Sequence, residues 1–122
     1  MNKHTFAKGA LFIIYFWFGM LKVLGFSPAS PLIGALLKET MPFFPPAQFF
    51  ILFGLFEMLI GILFLFSRTQ KIAKILFVIH MVCVFLPLVL LPQMIWTGYF
   101  VPTLEGQYII KNLALIAAVL FL

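Results

Sequence analysis

The chain has 122 residues, of which 65% are apolar and only 9% charged, and its mean hydropathy is +1.21; in soluble domains charged residues make up about a quarter. A water-soluble enzyme is excluded, and the net charge of +5 does not indicate a nucleic-acid binder, because the basic residues stand at segment ends and form no patch. The single cysteine, Cys83, excludes an internal disulfide and a Cys-x-x-Cys redox pair. A span needs about 20 apolar residues, so one domain with four crossings fills the chain. The expected fold class is all-α: an integral membrane four-helix transmembrane bundle with a short interfacial or re-entrant helix in the first outer loop.

The first crossing is expected at about residues 5–25. Lys3 and Lys8 precede an apolar run that starts like a secretory signal, but no small-x-small cleavage site follows and the run is rich in Phe, Tyr and Trp, so it reads as a retained helix. Lys22 shares a face with Tyr15, Phe18 and Gly19, at spacings of seven, four and three. It either snorkels to the interface or points into the bundle. Pro28 and Pro31 end the helix, and a short helix follows at about residues 31–40, too short to span. After the breaker-rich Met41-Pro-Phe-Phe-Pro-Pro run, the second crossing is expected at about residues 47–66.

Glu57 falls near the centre of that second helix, where a carboxylate is costly and marks a functional or obligate contact. Gly54 and Gly61 lie on its stripe, letting neighbouring backbones approach and aiming Glu57 inward. Arg68, Lys71 and Lys74 form the basic loop, which by the positive-inside rule is cytoplasmic together with the N-terminal tail. The third crossing, at about residues 72–91, carries His80 near its middle, with Cys83 on nearly the same face, and Pro87, which frees the carbonyl of Cys83. Trp96, Tyr99 and Phe100 suit an aromatic belt in the second outer loop.

The fourth crossing, at about residues 104–122, opens with a concentration of polarity: Thr103, Glu105, Gln107, Tyr108, Lys111 and Asn112. Thr103 after Pro102 is a good N-cap and Glu105 suits the positive end of the helix dipole. At about 100° per residue the polar members occupy one half of the circumference, so Lys111 and Asn112 are expected to face the interior. Lys22, Glu57, His80, Lys111 and Asn112 would then line one cavity open to the outer face, with Tyr108 a further ligand-binding or proton-transfer candidate and Glu105, Gln107 and Ser27 secondary ones. The composition gives no metal site, iron–sulfur set, haem ligand pair or flavin motif.

The run from Trp17 to Ala29 (WFGMLKVLGFSPA), the glutamate of the segment from Phe56 to Gly61 (FEMLIG) and a four-helix plan in a chain of this length resemble the DoxX-like family of small bacterial membrane proteins. The similarity covers nearly the whole chain through short motifs. It implies a multi-pass protein of the bacterial inner (cytoplasmic) membrane, where the positive-inside rule and four crossings put both termini in the cytoplasm, an accessory role in a membrane redox system with redox partner proteins, and a quinone or another isoprenoid lipid as ligand in place of an intrinsic cofactor. The residues that carry over are Lys22, Gly25, Ser27 and Pro28 with Glu57. Two other functions use the same polar groups. In one the chain is a small proton-linked carrier or lipid-binding protein; in the other it is a scaffold subunit in which they only fix helix register.

Overall fold

The computed structural model describes residues 2–27 and 30–122; Pro28, one of the motif residues, lies outside them. The described chain is 80% helical, and three helices are long and apolar enough to cross a membrane. The first, α1 (Lys3–Leu24), starts where Asn2 Oδ1 accepts from the Thr5 amide at 2.8 Å. It stops at Gly25, whose φ of +83° is the left-handed conformation that ends helices. The Phe26 amide then reaches back to the Leu21 carbonyl at 2.8 Å. A shorter helix, α2 (Ser30–Thr40), carries the chain to α3 (Pro46–Leu65), which opens on proline because that position has no amide to satisfy. The Thr69 hydroxyl donates to the Leu63 carbonyl at 2.7 Å and satisfies the end of α3.

Through a 3₁₀ turn the chain enters α4 (Gln70–Phe85), which is separated from α5 (Pro87–Leu90) only by the missing amide of Pro87. Leu86 between them keeps helical dihedrals, so Ser67–Leu90 forms one span-length segment. Beyond it come α6 (Pro92–Ile95) and a small antiparallel hairpin, β1 (Trp96–Gly98) with β2 (Val101–Pro102), held by Phe100 at φ 60°. The second outer loop expected here thus contains a short helix and a hairpin. The hairpin delivers Thr103, whose Oγ1 accepts from the Gly106 amide at 3.2 Å and donates to the Met94 carbonyl at 2.7 Å.

The fourth segment departs most from expectation. It is two pieces, α7 (Leu104–Ile110) and α8 (Leu113–Leu120), interrupted at Lys111 and Asn112. Asn112 Nδ2 donates to the Tyr108 carbonyl at 3.3 Å, so the side chain takes part in the local hydrogen bonding at the break. Each piece alone is too short to span.

The core joins Leu11 and Tyr15 of α1, Ile60 and Phe64 of α3, Ala73, Phe77 and Met81 of α4, and Val119 of α8. Outward positions such as Ile13, Leu55, Leu59, Ile75, Val78 and Val82 are exposed and apolar, a surface suited to lipid and not to water. The most extensive packing is between α1 and α3, which run antiparallel: Gly19 faces Gly54, while Gly61 faces Tyr15 and Phe12. A methyl carbon on Gly19 would lie 2.5 Å from the Gly54 carbonyl oxygen, and one on Gly54 equally close to that of Gly19. These two glycines set the helix separation, as small residues do where apolar side chains gain nothing by leaving lipid.

Gly19→Ala and Gly54→Ala should each therefore lower stability by about 1–3 kcal/mol through overpacking, read as a fall in the thermal midpoint in detergent. Gly9→Ala, where an added carbon meets nothing within 4 Å, should not lower it and should raise it slightly, since alanine is the better helix former.

Candidate functional site: a buried array of four polar side chains

Glu57 stands near the middle of α3 on the face that Gly54 and Gly61 press against α1. Because α1 passes so close, Lys22, in its last turn, reaches Glu57: Nζ lies 2.8 Å from Oε1, with side-chain exposures of 10% and 6%. Coulomb attraction in so little solvent is far stronger than at a surface. The ammonium also stands 5.8 Å from the centre of the Phe53 ring, whose face adds a weaker attraction.

On the other side of the carboxylate, α4 presents His80. Its Nε2 is 3.8 Å from the same Glu57 Oε1, and its Nδ1 is 2.9 Å from the Tyr15 hydroxyl, one span away on α1. Aromatic rings close around the imidazole, with Tyr15 at 5.1 Å, Phe53 at 5.4 Å and Phe56 at 6.3 Å between centroids. Glu57 and His80 are the buried polar and charged residues of the core, at 4% and 6% exposure. Glu57 Oε1 and His80 Nε2 are also, among the described residues, the buried side-chain polar atoms that make no aligned hydrogen bond. The Lys22–Glu57 contact is therefore an ion pair by distance, without the angles of a hydrogen bond.

The chemistry of the neighbours fixes the direction of the chain of contacts. A neutral imidazole carries one proton, and an Nε2 lone pair aimed at a carboxylate would be repelled. The proton belongs on Nε2, facing Glu57, and the Tyr15 hydroxyl then donates to Nδ1. The order is Tyr15, His80, Glu57, Lys22, from three helices, at neighbouring atoms. No ring-sized ligand fits among these side chains as they are packed, since Lys22, Glu57 and His80 are each closed over to 10% exposure or less.

The structure thus brings together Lys22, Glu57 and His80 of the expected candidates, and places the others elsewhere. Lys111 is exposed, with Nζ 5.3 Å from the centre of the Tyr108 ring, and Tyr108 itself is 59% exposed. Asn112 is half-buried and bonded to its own helix, and Glu105 and Gln107 are exposed. The cavity shared by five groups is corrected to a closed array: α7 turns Gly106 and Ile109 inward, because Gly106 is the residue that fits 2.6 Å from the Ile95 carbonyl oxygen, measured from an added carbon. Ser27 follows α1, half-buried, its carbonyl accepting from the Ser30 amide at 3.2 Å. Cys83 is half-buried on α4. Tyr15 was the member that sequence reasoning did not choose; its signal was the seven-residue spacing to Lys22, two turns of one helix face. Among the described residues no group of His, Cys, Asp and Glu has the arrangement of a metal site.

Removing one partner of a buried ion pair costs more than removing both. Lys22→Met should cost up to about 3–5 kcal/mol, and Lys22→Met with Glu57→Met should recover most of that loss, measured as a double-mutant cycle of unfolding in detergent. A double-variant loss equal to the sum of the two single losses would show that the pair is not coupled. No family model matches the chain, and no curated protein or solved structure matches it, so the four side chains and their distances carry the functional reading.

Proposed function

We propose that the chain is a small proton-linked membrane carrier in which protons enter and leave Glu57 at the centre of the bilayer. The observation that carries this reading is the sharing of one buried oxygen, Glu57 Oε1, between an ammonium at 2.8 Å and an imidazole nitrogen at 3.8 Å. A carboxylate held between an ammonium and an imidazole stays in the membrane without being locked to either. When His80 takes up a second proton, the imidazolium is drawn to Glu57. Closing the gap by about 1 Å brings Nε2 and Oε1 to hydrogen-bond distance, and the proton passes from Nε2 to Oε1, leaving a neutral imidazole and a neutral carboxylic acid. The second proton goes to Nδ1, so the Tyr15 hydroxyl, donor to the neutral ring, turns to accept from Nδ1–H and keeps the ring turned toward Glu57.

The rest of the architecture supports a multi-pass arrangement. α1 and α3 run antiparallel, and Lys8 Nζ donates to Ser67 Oγ at 3.1 Å, so the N-terminal lysines and the loop of Arg68, Lys71 and Lys74 gather at one end, the cytoplasmic one by the positive-inside rule. Laid end to end, α7 and α8 cover about 25 Å, close to the hydrocarbon thickness of about 30 Å. They supply the fourth crossing and bring the C-terminal end back to the basic side. This is the topology expected for a four-helix bundle of a bacterial inner membrane. Membership of the DoxX-like family, with an accessory redox role, is a narrower form of the proposal. The quinone it would bring has no room in the closed array, so no step is routed through such a lipid.

Liposomes containing the protein, a trapped pH dye and an imposed potassium gradient provide the test. Proton entry should exceed that of empty liposomes, fall about tenfold or more in Glu57→Gln, the scale of losing a positioned proton acceptor, and fall less in Tyr15→Phe; Lys38→Gln, at the exposed end of α2, should match the wild type. Entry that is the same in Glu57→Gln, or no greater than in empty liposomes, would overturn the proposal.

A further inference from the structure

Five of the eight lysines and arginines, Lys3, Lys8, Arg68, Lys71 and Lys74, gather at the end of the molecule where α1 and α4 begin. Lys8 Nζ donates to Ser67 Oγ at 3.1 Å and joins the two stretches. No Asp or Glu side chain answers them there: Glu39 stands at the end of α2, ahead of α3, and Glu105 opens α7, each a span away, while Glu57 is taken up in the buried array. Among the described residues the ion pairs are those of Glu57 with Lys22 and His80, and none includes Arg68, Lys71 or Lys74. On α4 a lipid-facing stripe starts at one of these cations. Lys71, Ile75, Val78 and Val82, at spacings of four, three and four, share one face of the helix, and all of them are exposed. From Lys71 to Val82 the stripe runs about 16 Å, the depth of one leaflet in a hydrocarbon layer of about 30 Å. Arg68 and Lys74, each three residues from Lys71, add two cations at its head.

We propose that this face of α4 binds an anionic phospholipid, its phosphate held by Arg68, Lys71 and Lys74 and an acyl chain laid along Ile75, Val78 and Val82. Charge complementarity selects the head, and the stripe selects the tail. A phosphate among several cations makes charge-assisted hydrogen bonds, and the arginine fork can engage two of its oxygens at once. Free phosphate would leave the stripe uncovered. A zwitterionic lipid brings its own cation beside the phosphate and sets it against the lysines, and a second copy of the chain offers only more cations at this end; like charges repel. The inference goes beyond the carrier reading and does not depend on it. Nine residues on from Lys71, at about 100° per residue, His80 falls on the opposite side of α4, so the buried array and the lipid face use different sides of one helix.

The full chain in mild detergent, titrated with phosphatidylglycerol or with phosphatidylcholine of the same acyl chains and read by native mass spectrometry, tests it. Phosphatidylglycerol should be retained about tenfold or more in preference, and glycerol phosphate, a phosphate head without tails, should not displace it. Lys71→Gln with Lys74→Gln should lower its retention about thirtyfold, the scale of two cations lost at an anionic membrane surface. Lys71→Arg with Lys74→Arg should keep it, and Lys38→Gln, at the other end of the molecule, should change nothing. The comparison of lipids on the unmodified chain decides the matter even where the glutamine variant loses stability. Equal retention of the two lipids, displacement by glycerol phosphate, retention indifferent to the glutamine variant, or an acidic protein bound at this face in place of lipid would overturn the proposal.

Discussion

A carboxylate at the centre of a membrane span must find its counter-charge inside the protein, and this chain meets that requirement at the 2.8 Å contact between Glu57 and Lys22. The rest of the fold is consistent with serving that contact. Lys22 comes from the last turn of α1 and Glu57 from the middle of α3. They meet because Gly19 and Gly54 let the two backbones touch, with no room for a methyl group on either. A wider separation would leave an ammonium and a carboxylate apart in an apolar medium, where each is costly alone. Helix spacing and electrostatics are in this sense one constraint.

The second consequence is the position of His80. With Lys22 on one side of Oε1, the imidazole completes the surroundings of the carboxylate from α4, and Tyr15 returns the chain of contacts to α1 at 2.9 Å. Three helices are tied by polar atoms over two turns of α1, while Phe53 and Phe56 pack against the imidazole. A closed polar chain of this kind suits small, mobile charges better than bulky ligands, which is the basis of the proton-carrier proposal. The outer face of α7 and α8 has the opposite character, with its polar groups turned outward.

Much of this was legible from residue types alone. The breakers at Pro31, Pro45, Pro46 and Pro87, the basic turn around Arg68 and the apolar runs between them locate α1, α2, α3 and the α4–α5 segment closely, because proline geometry and hydrophobic length are local properties. Glu57 and His80 stood out because polarity is rare in such spans. The break at Lys111 and Asn112 was not legible: both residues keep helical dihedrals and only a local switch to tighter bonding, Asn112 amide to Ile109 carbonyl and Ala114 amide to Lys111 carbonyl, marks it, with no proline or glycine to announce it.

The sequence by itself determined that the chain is helical and membrane-sized, and that a few ionisable groups lie at depth, since composition and periodicity follow from each residue and its near neighbours. Only the tertiary structure decided which of those groups meet. Helical periodicity assigns Lys22 to the face of Tyr15, Phe18 and Gly19 and Lys111 to a polar half, but not the direction either face takes; the antiparallel packing of α1 on α3 turns one inward, and the packing of Gly106 and Ile109 turns the other out. Facing is a property of pairs of helices, fixed by how closely their backbones approach, and no single stretch of sequence contains it.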